Sequence, residues 1–127
     1  MSLDITPMVP AGKQLILGYG GGGFRIGEQA YAGPVIVFPD RTITWELTSV
    51  SEMSLDSLAP VIDAHVEIDI LLLGCGPRNV MVDSVIRDGL RAAGVVLEPM
   101  DTGAACRTFN VLLAEERRVA AALLPVD

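Results

Sequence analysis

Ile68-Asp69-Ile70-Leu71-Leu72-Leu73-Gly74-Cys75-Gly76-Pro77-Arg78 is the stretch whose reading decides the fold. Residues 68–73 are an almost wholly aliphatic run, the signature of a strand covered on both faces in a parallel sheet. Gly74-Cys75-Gly76 then turns the chain, and Pro77 suits the first turn of a helix. That helix is expected to run to Ala93, with Val82, Val85, Ile86, Leu90 and Ala93 at 3.6-residue spacing. Asp83 and Arg87 pair on its outer face, and Gly94 closes it. Residues 95–98 read as the next buried strand, stopped by Pro99. Asp101 or Thr102 caps a last helix that turns Ala105, Phe109, Leu112 and Leu113 inward. The whole is a strand–helix–strand–helix unit over residues 67–115 of one α/β domain.

Upstream the pattern changes to short strands and glycine turns. Residues 14–19 read as a strand ending in Gly20-Gly21-Gly22-Gly23, and 24–26 return as a second, with Gly27-Glu28 able to turn the chain again. Residues 35–38 and 42–47 form a hairpin around Pro39-Asp40-Arg41, with Ile43, Trp45 and Leu47 alternating on one face. Ser54 or Asp56 caps a helix over 55–64, which Pro60 keeps short by placing its start close to itself. Residues 1–13 form a proline-punctuated lead-in to a single domain over 14–127. Downstream, 119–126 reads two ways: its alanines favour helix, whereas Glu115-Glu116-Arg117-Arg118 reads as a surface turn before a last strand.

A chain of 127 residues with half its residues hydrophobic and 5% aromatic builds an aliphatic core without disulfide staples. The formal net charge of −7 argues against nucleic acid and against an anionic membrane surface as partners. Lys13 is the sole lysine beside eight arginines, a bias better explained by a GC-rich genome than by guanidinium chemistry. No apolar run approaches the ~18–20 residues of a membrane span, and Met1-Ser2-Leu3-Asp4 does not open a signal peptide. A cytoplasmic protein with free thiols at Cys75 and Cys106 is the expectation.

Gly18-Tyr19-Gly20-Gly21-Gly22-Gly23 matches the dinucleotide pattern G-x-G-x-x-G, but Gly27, Gly33 and Pro34 leave no room for the helix that pattern requires. A flexible hairpin turn or bulge that needs positive φ is the better reading. Gly74-Cys75-Gly76-Pro77-Arg78 is better placed, where a parallel strand hands over to a helix and amides with the helix dipole favour an anion. Glu98 ends the next strand where a ribose-binding acid would stand. Asn79 replaces the third glycine, however, and Pro77 removes an N–H, so a plain tight turn is the competing reading. Asp101-Thr102, Cys106-Arg107-Thr108 and Asn110 emerge at the same edge. Arg107 is disfavoured so near a helix start, which calls for an anionic ligand, a partner carboxylate or an internal salt bridge. Cys75 and Cys106 could approach one another there, but small buried apolar side chains are the better reading of both. The one histidine, His65, falls at the opposite end of the sheet, which disfavours Cys–His catalysis, and no metal-ligand spacing is present.

Glu98-Pro99-Met100-Asp101-Thr102, the segment from Ala105 to Leu112, Glu115 with Arg118 to Leu123, Leu72-Leu73-Gly74-Cys75-Gly76 and Ile43-Thr44-Trp45 together resemble a known family. It comprises uncharacterised bacterial and archaeal proteins of the Mth type, whose eukaryotic relatives include a mitochondrial respiratory complex I assembly factor. The resemblance spans residues 14–124. It implies a three-layer α/β fold with a central mixed sheet and a β-hairpin layer, and a last strand at 119–124 antiparallel to its neighbours. Glu116 departs from the small turn residue expected there. The resemblance further implies no established activity, no cofactor, and protein partners, with respiratory-complex subunits as candidates. The first reading is therefore a non-enzymatic accessory factor. The alternative is a small-molecule or anion-binding protein, or a weak enzyme, with Gly74, Cys75, Gly76, Arg78, Thr102, Cys106, Arg107 and Thr108 around one pocket. A homo-oligomer through the glycine-rich hairpin edge stays open.

Overall fold

The computed structural model describes residues 13–127, so the expected lead-in and the amino-terminal reading lie, Lys13 excepted, outside the described residues. Two sheets organise the chain. Strands β1 (Ile16–Gly20), β2 (Gly23–Ile26) and β3 (Gln29–Ala32) form an antiparallel meander. Strands β4 (Val35–Val37), β5 (Thr42–Thr44), β6 (Ile70–Gly74), β7 (Val96–Met100) and β8 (Val119–Leu123) form a mixed sheet in the order β5-β4-β8-β6-β7. The helices are α1 (Ala59–Asp63), α2 (Ser84–Ala92) and α3 (Thr102–Ala114).

Strand alternation places successive side chains on opposite faces and so builds two cores. Leu71, Leu73, Ile36, Phe38, Ala120 and Ala122 face α2 through Ile86 and Leu90, together with Leu58 and Val61 around α1. Leu72, Val35, Val37, Ala121 and Leu123 face the other way, against Ala105, Phe109 and Leu113 of α3 and Ile16, Phe24 and Ile26 of the meander. The layers are thus helices, a central mixed sheet, and α3 with the β-meander.

The ambiguous tail is a strand, β8, buried at every residue, so packing overrides the helical preference of its alanines. It runs antiparallel to β4 but parallel to β6, which corrects the expectation of antiparallel neighbours on both sides. The reason is topological: α3 carries the chain back along the sheet, so β8 starts at the same end as β6 and β7.

Other differences have local causes. The hairpin layer has a third strand, β3, after the turn at Gly27-Glu28. Pro77 does not open a helix; residues 75–83 are irregular, and α2 begins at Ser84 because the Asp83 side chain accepts from the Val85 amide at 3.0 Å. Val85, placed inward by the periodicity, points to solvent. Asp83 caps rather than pairing with Arg87, whose Nη1 donates to the Leu97 carbonyl at 3.4 Å. Pro99 does not stop β7, which continues to Met100; β7 is an edge strand, so a residue lacking an N–H is tolerated. The Pro60 expectation is met: α1 is a five-residue helix with Pro60 in its first turn, and Ser54 and Ser57 exchange hydrogen bonds just ahead of it.

Asp101 caps α3, its Oδ2 accepting from the Ala104 amide at 3.0 Å. At the other end of α3, Glu116 N–H donates to Leu113 O and Arg117 N–H to Leu112 O, the bonding of a Schellman motif. Glu116 occupies its left-handed position at φ 61°, where glycine is the usual residue. No helix among the described residues is long and apolar enough to cross a membrane.

Candidate functional site

The edge singled out in the sequence is where β6 and β8 end and α3 begins. Gly74 lies opposite Met100 on one side and Leu123 on the other. Beyond it the three segments tie together. The Cys75 amide donates to Met100 O at 2.8 Å, the Leu124 amide to Gly74 O at 2.9 Å, and the Thr102 amide to Gly76 O at 2.8 Å. The Thr102 hydroxyl completes the knot, accepting from the Gly76 amide at 2.9 Å and donating to Leu124 O at 2.6 Å. Thr102 is fully buried and is the one buried polar side chain among the described residues. A fully satisfied buried hydroxyl is stabilising, whereas the same site with one partner missing is costly.

The glycines follow from this closeness. A Cβ on Gly74 would lie 2.8 Å from Leu123 Cδ2 and 3.1 Å from Thr102 Cα, so only glycine lets α3 start against β6. Gly76 has φ 95° and needs its freedom for the turn itself. Both are engaged in joining β6 to α3, and the Gly76 N–H that an anion would use is already bonded.

The rest of the expected constellation is dispersed around this knot. Arg78 is exposed on the 75–83 segment, with no helix start beside it to lend a dipole. The one helix start at this edge, that of α3, is occupied by the protein's own Asp101 carboxylate. Arg107 is exposed, and its Nη1 donates to the Tyr19 hydroxyl at 3.4 Å, with the tyrosine closing over Gly103. Its partner is therefore a phenol of the meander, neither of the carboxylates Glu98 and Asp101. Thr108 is half-buried on α3, and Glu98 is exposed on the edge strand.

The two thiols are buried in different cores, as the reading of small apolar side chains has it. Cys75 packs with the α2-side core and Cys106 with the α3-side core, because Cys75 shares the alternation of Leu71 and Leu73. Both are free and buried. Burial pushes the Cys106 thiol up to about 12 and raises that of Cys75 as well, so both are held as thiols rather than thiolates. His65 stands before β6, away from both, with Nδ1 at 2.9 Å from Ile62 O. No group of three potential metal ligands occurs among the described residues.

Asn110 has a role its sequence position does not announce. Its Oδ1 accepts from Ile16 N–H at 2.9 Å and its Nδ2 donates to Ile16 O at 2.7 Å, clamping α3 to β1 beside an irregularity in the β1–β2 register. A second feature was not singled out. At the opposite end of the mixed sheet, a cleft of about 420 Å³ is lined by Lys13, Arg41, Arg117 and Arg118 over Phe38 and Leu113. The only sequence signal for it is the charge in two turns, Asp40-Arg41 and Glu115–Arg118, which reads as ordinary solvated loop.

The model of a family described as a protein of unknown function (DUF498/DUF598) matches residues 16–124. The chain belongs to the DUF498/DUF598 family. It is 33% identical over 124 residues to NADH dehydrogenase (ubiquinone) 1 alpha subcomplex assembly factor 3 of Danio rerio, covering 98% of this chain and 71% of that protein. The chain spans 58% of the length of the protein of the same name from Xenopus tropicalis. Among solved structures, an outer membrane protein from Bartonella henselae superposes with a TM-score of 0.85 at 34% identity, over 94% of this chain and all of that one. A Mth938-like domain from Bordetella pertussis superposes with a TM-score of 0.83 at 25% identity, over 98% and 92% of the two chains. The match spans both sheets, so the meander belongs to the family fold.

Proposed function

We propose that this member of the DUF498/DUF598 family is an accessory factor that acts by binding other proteins, as an assembly factor for a multi-subunit complex does. The observation that carries this reading is the similarity of nearly the whole chain to assembly factor 3 of NADH dehydrogenase. Subunits of a respiratory NADH dehydrogenase are therefore the first partners to test. The candidate edge is consistent with this reading, since Gly74, Gly76 and Thr102 are engaged in holding the fold and Arg107 is held by Tyr19.

The surface assigned to the partner is the apolar group beside α2. Met81 is 94% exposed, with exposed Val80 and Val85 within four residues of it, an apolar group left uncovered by the described residues. Affinity capture of the tagged protein from its native lysate is the test. Stoichiometric recovery of an NADH dehydrogenase subunit, abolished by Met81→Asp, is expected. Failure to recover any stoichiometric partner, with the tag shown to be accessible, would overturn the reading.

A further inference from the structure

The geometry points to a second site that is independent of partner binding: the cleft at the far end of the mixed sheet binds a small organic carboxylate through Arg117 and Lys13, over the apolar floor of Phe38 and Leu113. Several segments converge there. They are the β4–β5 turn (Pro39, Asp40, Arg41), the lead-in to β6 (Val66, Glu67, Ile68) and the α3–β8 connection (Glu116, Arg117, Arg118), with Lys13 ahead of β1. The volume, about 420 Å³, is within the usual range of small-ligand sites, and its mix of apolar floor and few charged groups is their usual composition.

The charges sort into two sets. Arg41 lies over the Phe38 ring at 4.1 Å and pairs with Asp40 at 2.9 Å and Glu67 at 3.7 Å. Arg118 grips Asp69 through Nη2 at 2.7 Å and Nε at 3.1 Å, and donates to Val66 O at 3.0 Å. These pairs build and brace the walls. Among the described residues, Lys13, Arg117 and Glu116 stand outside any ion pair, with Arg117 close enough to Asp69 to help lower its carboxyl. In a chain of net charge −7, four of the nine basic residues line this one cleft against three carboxylates, Asp40, Glu67 and Glu116, which leaves its lining one net positive charge. Two cations outside ion pairs, Lys13 and Arg117, over an aliphatic and aromatic floor are complementary to an anion that carries an apolar body.

Glu116 sharpens the assignment. Its left-handed backbone, unusual for a residue with a side chain, is what turns Arg117 and Arg118 from the end of α3 into β8. Its own carboxylate lines the cleft and opposes an anion there, so neutralising it must strengthen binding. A zwitterionic ligand that uses Glu116 for its ammonium group would respond in the opposite sense.

Hexanoate, benzoate, inorganic phosphate and neutral benzamide are the probes. They are titrated into the full chain and followed by amide chemical shifts and by isothermal calorimetry. Saturable binding of hexanoate and benzoate is expected, weaker for phosphate and absent for benzamide, with the largest shifts at residues 66–68 and 116–118. Arg117→Gln should weaken benzoate by about tenfold, the loss of one charge-assisted hydrogen bond. Glu116→Gln should tighten it, and Arg91→Gln, on the exposed face of α2, should leave it unchanged. Folding of each variant is checked by the dispersion of the same spectra. Equal binding in Arg117→Gln and Arg91→Gln, weaker binding in Glu116→Gln, amide shifts centred elsewhere, or no binding in wild type would each overturn the proposal.

Discussion

The two ends of the mixed sheet are built from the same strands and turn out opposite in character. At the Gly74 end, backbone amides, a buried hydroxyl and two glycines satisfy one another at distances of 2.6–2.9 Å. At the Phe38 end, long charged side chains surround a cleft and are paired only in part. The parallel strand ends of an open α/β sheet usually host the ligand. Here that end is closed by its own hydrogen bonds, and the charge-lined cleft lies at the other. The position of a turn in a topology is therefore weaker guidance than the satisfaction of its polar groups.

The largest expected effect tests the closed end. Thr102→Val keeps the shape but leaves the Gly76 N–H and the Leu124 carbonyl without their partner. It should destabilise the protein by about 3 kcal/mol in urea unfolding, where each buried orphaned group costs about 1–3 kcal/mol. Asn110→Ala, which removes both hydrogen bonds to Ile16, should cost about 2 kcal/mol and loosen the meander. Faster amide exchange in β1 and β2 is the accompanying sign. Loss of stability without that local change would break the picture of Asn110 as a clamp.

At the cleft end the effects are smaller. Glu116→Gly relieves a left-handed backbone and should stabilise by about 0.5–1 kcal/mol after the added freedom of the unfolded chain is offset. The smallest effect concerns Asp69. The Arg118 guanidinium holds its carboxyl below the ordinary carboxylate range, and the pair is exposed to solvent. A depressed folded-state value means that the pair stabilises above the unfolded value, and that the stabilisation is lost as pH falls through the folded value. Melting curves of wild type and Asp69→Asn should therefore differ slightly at neutral pH and converge in acid. A gap that widens on acidification would contradict the pairing.

Much of this fold is readable in the residues. The aliphatic run at 68–73, the cap at Asp101 with Ala105, Phe109 and Leu113 behind it, and the hairpin ahead of Trp45 all obey local rules. Two features escaped for physical reasons. Pro77 fits a helix start as well as a loop, and only the Asp83 cap decides that α2 begins seven residues later, at Ser84. Pro99 stops a strand unless that strand is at an edge, and the edge is a property of the whole sheet. The residues of the candidate edge were legible as a cluster. That Thr102 faces inward to Gly76 and Leu124, and that Cys75 and Cys106 fall on opposite faces, depends on register, which no single segment carries. The cleft was not legible, because its lining comes from turns far apart in the chain.

Native-state hydrogen exchange tests most directly the claim that the Gly74 end is a closed structural knot. The amides of Cys75, Gly76, Thr102 and Leu124 should exchange only through global unfolding, as slowly as the β6 and β8 core. Exchange of the Gly76 and Thr102 amides by local opening, well ahead of that core, would contradict it and return this edge to consideration as a binding site.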